Sequence, residues 1–163
     1  MASTQTWSEY NGSGQTQTQS RAEINFKNVD DSTTPYTSSP ITAGNNSFVK
    51  YQAIRFAGTW NSLSALTYKV SNATPATGIT IKGSVVSSYT QPSTTALGDA
   101  NFSTSGLSAN FNSSTTPFGA GTSSTTAGGT MYAQAFRAQM QTSGSAAPGD
   151  TPQVTFTATW TES

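Results

Sequence analysis

Threonine alternates with large apolar residues near the carboxyl end, in Val154-Thr155-Phe156-Thr157-Ala158-Thr159-Trp160-Thr161. A period of two predicts a strand with one apolar face and one face of β-branched hydroxyls. The same period recurs upstream. Ile24 and Phe26 alternate with Glu23, Asn25 and Lys27; Leu66, Tyr68 and Val70 with Thr67 and Lys69; Ile79, Ile81, Gly83 and Val85 with Thr80, Lys82 and Ser84. Each run predicts a half-buried strand. From Ser47 to Trp60 both parities are apolar, with Phe48, Ile54, Phe56 and Trp60 on one and Val49, Tyr51 and Ala53 on the other. That pattern predicts a strand covered on both faces, or one bulged near Gly58.

Three stretches are less regular. In Met131–Met140, Tyr132, Phe136 and Met140 fit a helical stripe, yet the same residues with Gln134 and Ala138 share one side of a strand. The β surroundings favour a strand, paired antiparallel with the last one through a turn over Ser143–Asp150 that contains Pro148-Gly149. Residues 1–20 are polar and aperiodic, which predicts an amino-terminal arm beside a sandwich domain at 21–163. The rings of Trp7 and Tyr10 would then dock on a neighbouring subunit or cap the domain's own sheet. Residues 90–129 form a long Ser/Thr/Gly-rich loop punctuated by Leu97, Phe102, Leu107, Phe111 and Phe118, expected to pack on itself or on a neighbour. The fold class expected is all-β: an antiparallel, jelly-roll-like β-sandwich. Trp7, Tyr10, Phe102, Phe111 and Phe118 are the candidate partner contacts.

Composition narrows the functions open to such a fold. A third of the residues are Ser or Thr, none is Cys or His, and 9% are charged, with net charge +0. The 163 residues suffice for one domain with a real core. Scattered charges offer no basic stripe, so no nucleic-acid partner is expected, and neither a polybasic anchor nor a long apolar run points to a membrane. The start lacks the features of a signal peptide, so synthesis in a cytosol is expected. Without His or Cys the commonest general base, metal ligand and thiolate nucleophile are missing, so neither an enzyme nor a cofactor is expected. Asp30-Asp31 reads as turn chemistry. Ser47-Phe48-Val49-Lys50 satisfies S-x-x-K, but odd spacing on a strand sends the two side chains to opposite faces, leaving Lys50 solvated at a strand edge. Glu9, Glu23, Asp99, Asp150 and Glu162 suggest no local glycosidase pair. Of the tryptophans, Trp60 and Trp160 fall on core parities and Trp7 is the one expected to be exposed.

Two segments carry a family resemblance. Asn46-Ser47-Phe48-Val49-Lys50-Tyr51-Gln52-Ala53-Ile54-Arg55-Phe56-Ala57-Gly58-Thr59-Trp60, followed by Leu63-Ser64-Ala65-Leu66-Thr67-Tyr68-Lys69-Val70, is the first. The second is the closing Pro148-Gly149-Asp150-Thr151-Pro152-Gln153-Val154-Thr155-Phe156-Thr157-Ala158-Thr159-Trp160. Together they resemble structural proteins of tailed-bacteriophage particles. The resemblance implies an all-β domain assembled as a homo-oligomer on the virion, without a catalytic motif. A small, neutral, threonine-rich domain with a polar arm looks most like a capsid decoration or cement protein. It is expected as a trimer that bridges copies of the major capsid protein and stabilises the assembled shell. A tail, neck or fibre component is the second placement, and a carbohydrate-binding adhesin module using Trp7, Tyr10 and residues 90–129 is the alternative from another class.

Overall fold

The computed structural model describes residues 3–71, 76–102, 106–126, 128–147 and 153–163. These residues hold ten strands: β1 (Ser3–Asn11), β2 (Thr16–Gln19), β3 (Lys50–Gly58), β4 (Ser62–Ser71), β5 (Ile79–Val85), β6 (Leu107–Ser108), β7 (Ser124–Thr126), β8 (Gly129–Tyr132), β9 (Phe136–Thr142) and β10 (Thr155–Glu162). Every pairing is antiparallel. One sheet runs β2-β1-β3-β9-β5, with β8 also on β3; the other runs β10-β4-β6, with β7 also on β4. Among the described residues the only helical element is a 3-10 turn at Tyr36–Ser38. The strand orders define a two-sheet sandwich without defining a jelly roll.

Alternation explains which residues meet between the sheets. Ile54 and Phe56 from β3, Ile81 from β5 and Phe136 from β9 face Leu63, Leu66, Tyr68 and Val70 from β4 across one core. Phe156, Ala158 and Trp160 of β10 pack against the same core from the edge, with Phe156 stacked on Phe136 at 5.7 Å and Trp160 edge-on to Phe56 at 5.1 Å. The opposite parity of β3 builds a second cluster. Tyr51 and Ala53 join Tyr10, Val49 and Ala135 on the outer face of the larger sheet, under Val86, Tyr89, Leu97 and Phe118. β3 is therefore covered on both faces, as its double apolar pattern requires.

The long loop supplies much of that cover. Phe102 and Phe111 enter the inter-sheet core, while Leu97 and Phe118 lie over the outer face. Its backbone also runs along the free side of β5, where the Phe102 N–H donates to the Ile81 carbonyl and the Gly83 N–H to Ala100. Close passage explains Gly83: a Cβ there would stand 2.4 Å from both the Phe102 ring and the Arg137 carbonyl.

Several expectations need correction. Residues 22–27 form no strand. The backbone of Ala22–Phe26 makes no backbone hydrogen bond among the described residues, and the run is held at its ends by Arg21 N–H to the Trp7 carbonyl and Phe48 N–H to the Lys27 carbonyl. Ile24 and Phe26 still reach the core, but Lys27 points inward instead of to solvent and is fully buried. The segment 131–140 is extended, as expected, but split into β8 and β9, which lie end to end on β3 with an irregularity at residues 133–135. Neither pairs with β10, whose partner is β4. The Pro148-Gly149 turn meant to join them lies outside the described residues, as does Asp150. Residues 3–19, expected as part of an arm, form β1 and β2, and β1 is paired with β3 from Ser3↔Gly58 to Tyr10↔Tyr51. Trp7 and Tyr10 thus cap the chain's own sheet.

Candidate functional site

The five side chains singled out as partner contacts do not share a surface. Phe102 and Phe111 are buried between the sheets, and Tyr10 is buried on the outer face, edge-on to the half-buried Phe118 at 5.2 Å. Their area is already used within one chain, so burial rules Tyr10, Phe102 and Phe111 out as exposed contacts. Trp7 is half-buried, with one side against Tyr68 and Phe136 and the other lining a cleft.

A buried polar network lies next to that cleft. Glu9 of β1 and Lys50 and Gln52 of β3 share one face by strand parity, and all three are buried. The Lys50 ammonium donates to Glu9 Oε1 at 3.3 Å and to the Asp31 carbonyl at 2.9 Å, and Gln52 Nε2 donates to Glu9 Oε2 at 3.0 Å. Burial pulls the Lys50 pKa below the usual lysine range against the opposing pull of Glu9. Lys27 donates to Asp31 Oδ1 at 2.7 Å and to the Thr34 carbonyl. Asp31 also accepts from the N–H groups of Thr33 and Thr34 and from the Thr34 hydroxyl, the turn chemistry expected of it. Burial acts to raise the Asp31 pKa, but these hydrogen bonds outweigh it and hold the carboxyl well below its ordinary value. Asp30, which accepts from the Gly12 N–H, is shifted upward by burial.

This network corrects the view of Lys50 as a solvated edge residue. It also separates the two members of S-x-x-K. The Ser47 hydroxyl donates to the Phe48 carbonyl and accepts from the Met140 N–H, whereas Lys50 is held by Glu9 and Asp31. The other carboxylates are dispersed: Asp99 grips Arg137 through both oxygens, and Glu162 accepts from the Ser3 N–H and hydroxyl. No cluster of metal-ligating side chains occurs among the described residues, and none of their helices is long and apolar enough to cross a membrane.

The open flank beside β10 is the feature most available to a partner. Beside the start of β10, Trp7, Gln52, Ile79 and Met140 of the larger sheet line a cleft. Two clefts occupy this flank. The larger, about 1060 Å³, runs between the 21–26 segment, the 36–43 segment and the start of β10, over Trp7, Gln52, Ile79 and Met140. The smaller, about 380 Å³, lies between Gln5 and Trp7 of β1 and Phe156–Trp160 of β10. Among the described residues β10 pairs on one side only, so the backbone groups on its other side have no strand partner there over eight residues. Other edges are shorter or covered: β2 has four residues, β6 two and β7 three, and β5 is flanked by residues 100–102. β10 carries no proline and no charge before Glu162, the devices that normally blunt an edge.

Threonines mark the outer face of this strand. Thr155, Thr159 and Thr161 are exposed, and the Thr159 hydroxyl meets that of Thr67 on β4 at 2.6 Å. The alternation Val154–Thr161 signals both faces of β10 in advance; its position at an edge carries no such signal, because pairing partners are set by the whole topology. Comparison with protein-family models, with curated proteins and with solved structures finds no match for this chain.

Proposed function

We propose that the chain is a structural protein of a tailed-bacteriophage particle, a decoration protein that binds the assembled shell and stabilises it through non-covalent contacts. The observation that carries this reading is the long unpaired edge of β10, with its hydroxyl-rich outer face, on a domain whose aromatic residues are nearly all used internally. The resemblance of its strand sequences to virion proteins supports the same reading. A protein that binds only the assembled lattice stabilises it by mass action, in proportion to occupancy. Function then requires a rigid body with an adhesive border and no reactive centre.

The test uses empty shells assembled from the major capsid protein of the phage whose genome encodes this chain. Saturable co-sedimentation at a fixed ratio, with a higher melting temperature for the decorated shell, is the expected result. Absence of shell binding, or binding to isolated tails alone, rejects the decoration role. One observation favours a second reading, glycan binding: Trp7 opens onto a cleft that also holds Arg21, Glu23, Asn25 and Gln153. Tyr10 takes no part in such a site because it is buried. Saturable glycan binding lost in Trp7→Ala, with no shell binding, would select that reading.

A further inference from the structure

The unpaired strand has a property that its edge position alone does not require. Read outward from Ala158, its sequence is symmetric in kind: threonine at 157 and 159, an aromatic ring at 156 and 160, threonine again at 155 and 161. An antiparallel pair of such strands, related by a two-fold axis at Ala158, sets Phe156 beside the second copy's Trp160, Thr157 beside its Thr159 and Thr155 beside its Thr161. Interfaces between identical subunits are most often two-fold, and these must be self-complementary.

We propose that β10 pairs antiparallel with β10 of a second copy about a two-fold axis at Ala158, joining the two smaller sheets into one. Backbone groups unpaired in the single chain then complete a ladder. Charge favours the same occupant. Residues 154–161 are all uncharged, so self-pairing brings no like charges together, and Glu162 falls opposite the second copy's Val154. Phe156 and Trp160, half-buried beside the clefts, gain aromatic neighbours on the cleft side. On the other face, threonine stands opposite threonine, as Thr67 and Thr159 already do within the chain.

The proposal rests on reading the chain as an assembling particle protein, and its test needs no shells. Sedimentation equilibrium of the full chain is expected to give a concentration-dependent dimer. The variant Thr157→Lys with Thr159→Lys places lysines opposite lysines, and Thr157→Glu with Thr159→Glu places glutamates opposite glutamates. Each is expected to sediment at half the mass, and an equal mixture of the two to recover the dimer. Recovery on mixing separates a lost contact from a damaged fold, which mixing cannot repair. A chain monomeric at all concentrations, or a dimer indifferent to these substitutions, overturns the contact. A chain that binds shells without ever dimerising overturns the two-fold pairing alone; one that dimerises but ignores shells overturns the decoration role alone.

Discussion

Lys50 is a cation placed in the interior, and its surroundings decide what its removal costs. Lys50→Met leaves Glu9 buried without its cation, so an expected loss of about 3–5 kcal/mol follows, read from the urea midpoint. Adding Glu9→Gln to that variant should recover part of the loss, because the orphaned charge is then gone. Asp31 and Asp99 respond to pH with a definite sign. Both carboxyls are held below their ordinary values, Asp99 chiefly by Arg137, so the folded state binds fewer protons than the unfolded chain. Their contribution is complete above the ordinary Asp range near ~4 and is lost as the pH falls through and below it. Thermal melts between pH 6 and 3 should therefore show falling stability, and Asp99→Asn should flatten part of that slope. Of this, only the turn built on Asp31 was legible in the sequence. Lys27 sits on the polar parity of its run, whereas Lys50 shares the parity of Phe48, Ile54 and Phe56, and for both only the three-dimensional arrival of Asp31 and Glu9 makes burial tolerable.

Strands were legible where alternation was long, and misread where a local pattern had no neighbour to pair with. β4, β5 and β10 follow from their period of two, and β3 from apolar residues on both parities. Ala22–Lys27 has the same period without becoming a strand, because its ends are tied to Trp7 and Phe48 and no strand lies alongside. Within β4 the buried residues Leu63 and Leu66 are three apart, which breaks the alternation. Ala65 between them adopts φ 54°, and the register against β10 shifts at this point. That geometry is a bulge. A β-branched residue tolerates it poorly, so Ala65→Val should destabilise by about 1–2 kcal/mol on chemical denaturation. The candidate edge was half legible: its two faces were written in the sequence, its lack of a second partner was not.

At the scale of the whole molecule, the amino-terminal hairpin changes how the domain should respond to truncation. A detachable arm could be removed with little effect on stability. Here β1 pairs with β3 over eight positions and brings Trp7 and Tyr10 to both apolar clusters. Deleting residues 1–19 should therefore abolish cooperative unfolding, measured by near-ultraviolet circular dichroism on heating. Retention of a sharp transition would show that the remaining sheets suffice. A shell-binding defect after this deletion must be read with folding checked first, since loss of the domain and loss of a contact would look alike.

β3 has apolar packing on both faces along most of its length and hydrogen-bonded neighbours on both sides. Water can reach its peptide groups only when β1, β8 or β9 and a covering layer leave together, which approaches global unfolding. In deuterium oxide the amide protons of Tyr51–Phe56 should outlast all others, making this strand the clock by which the opening of the whole domain can be timed.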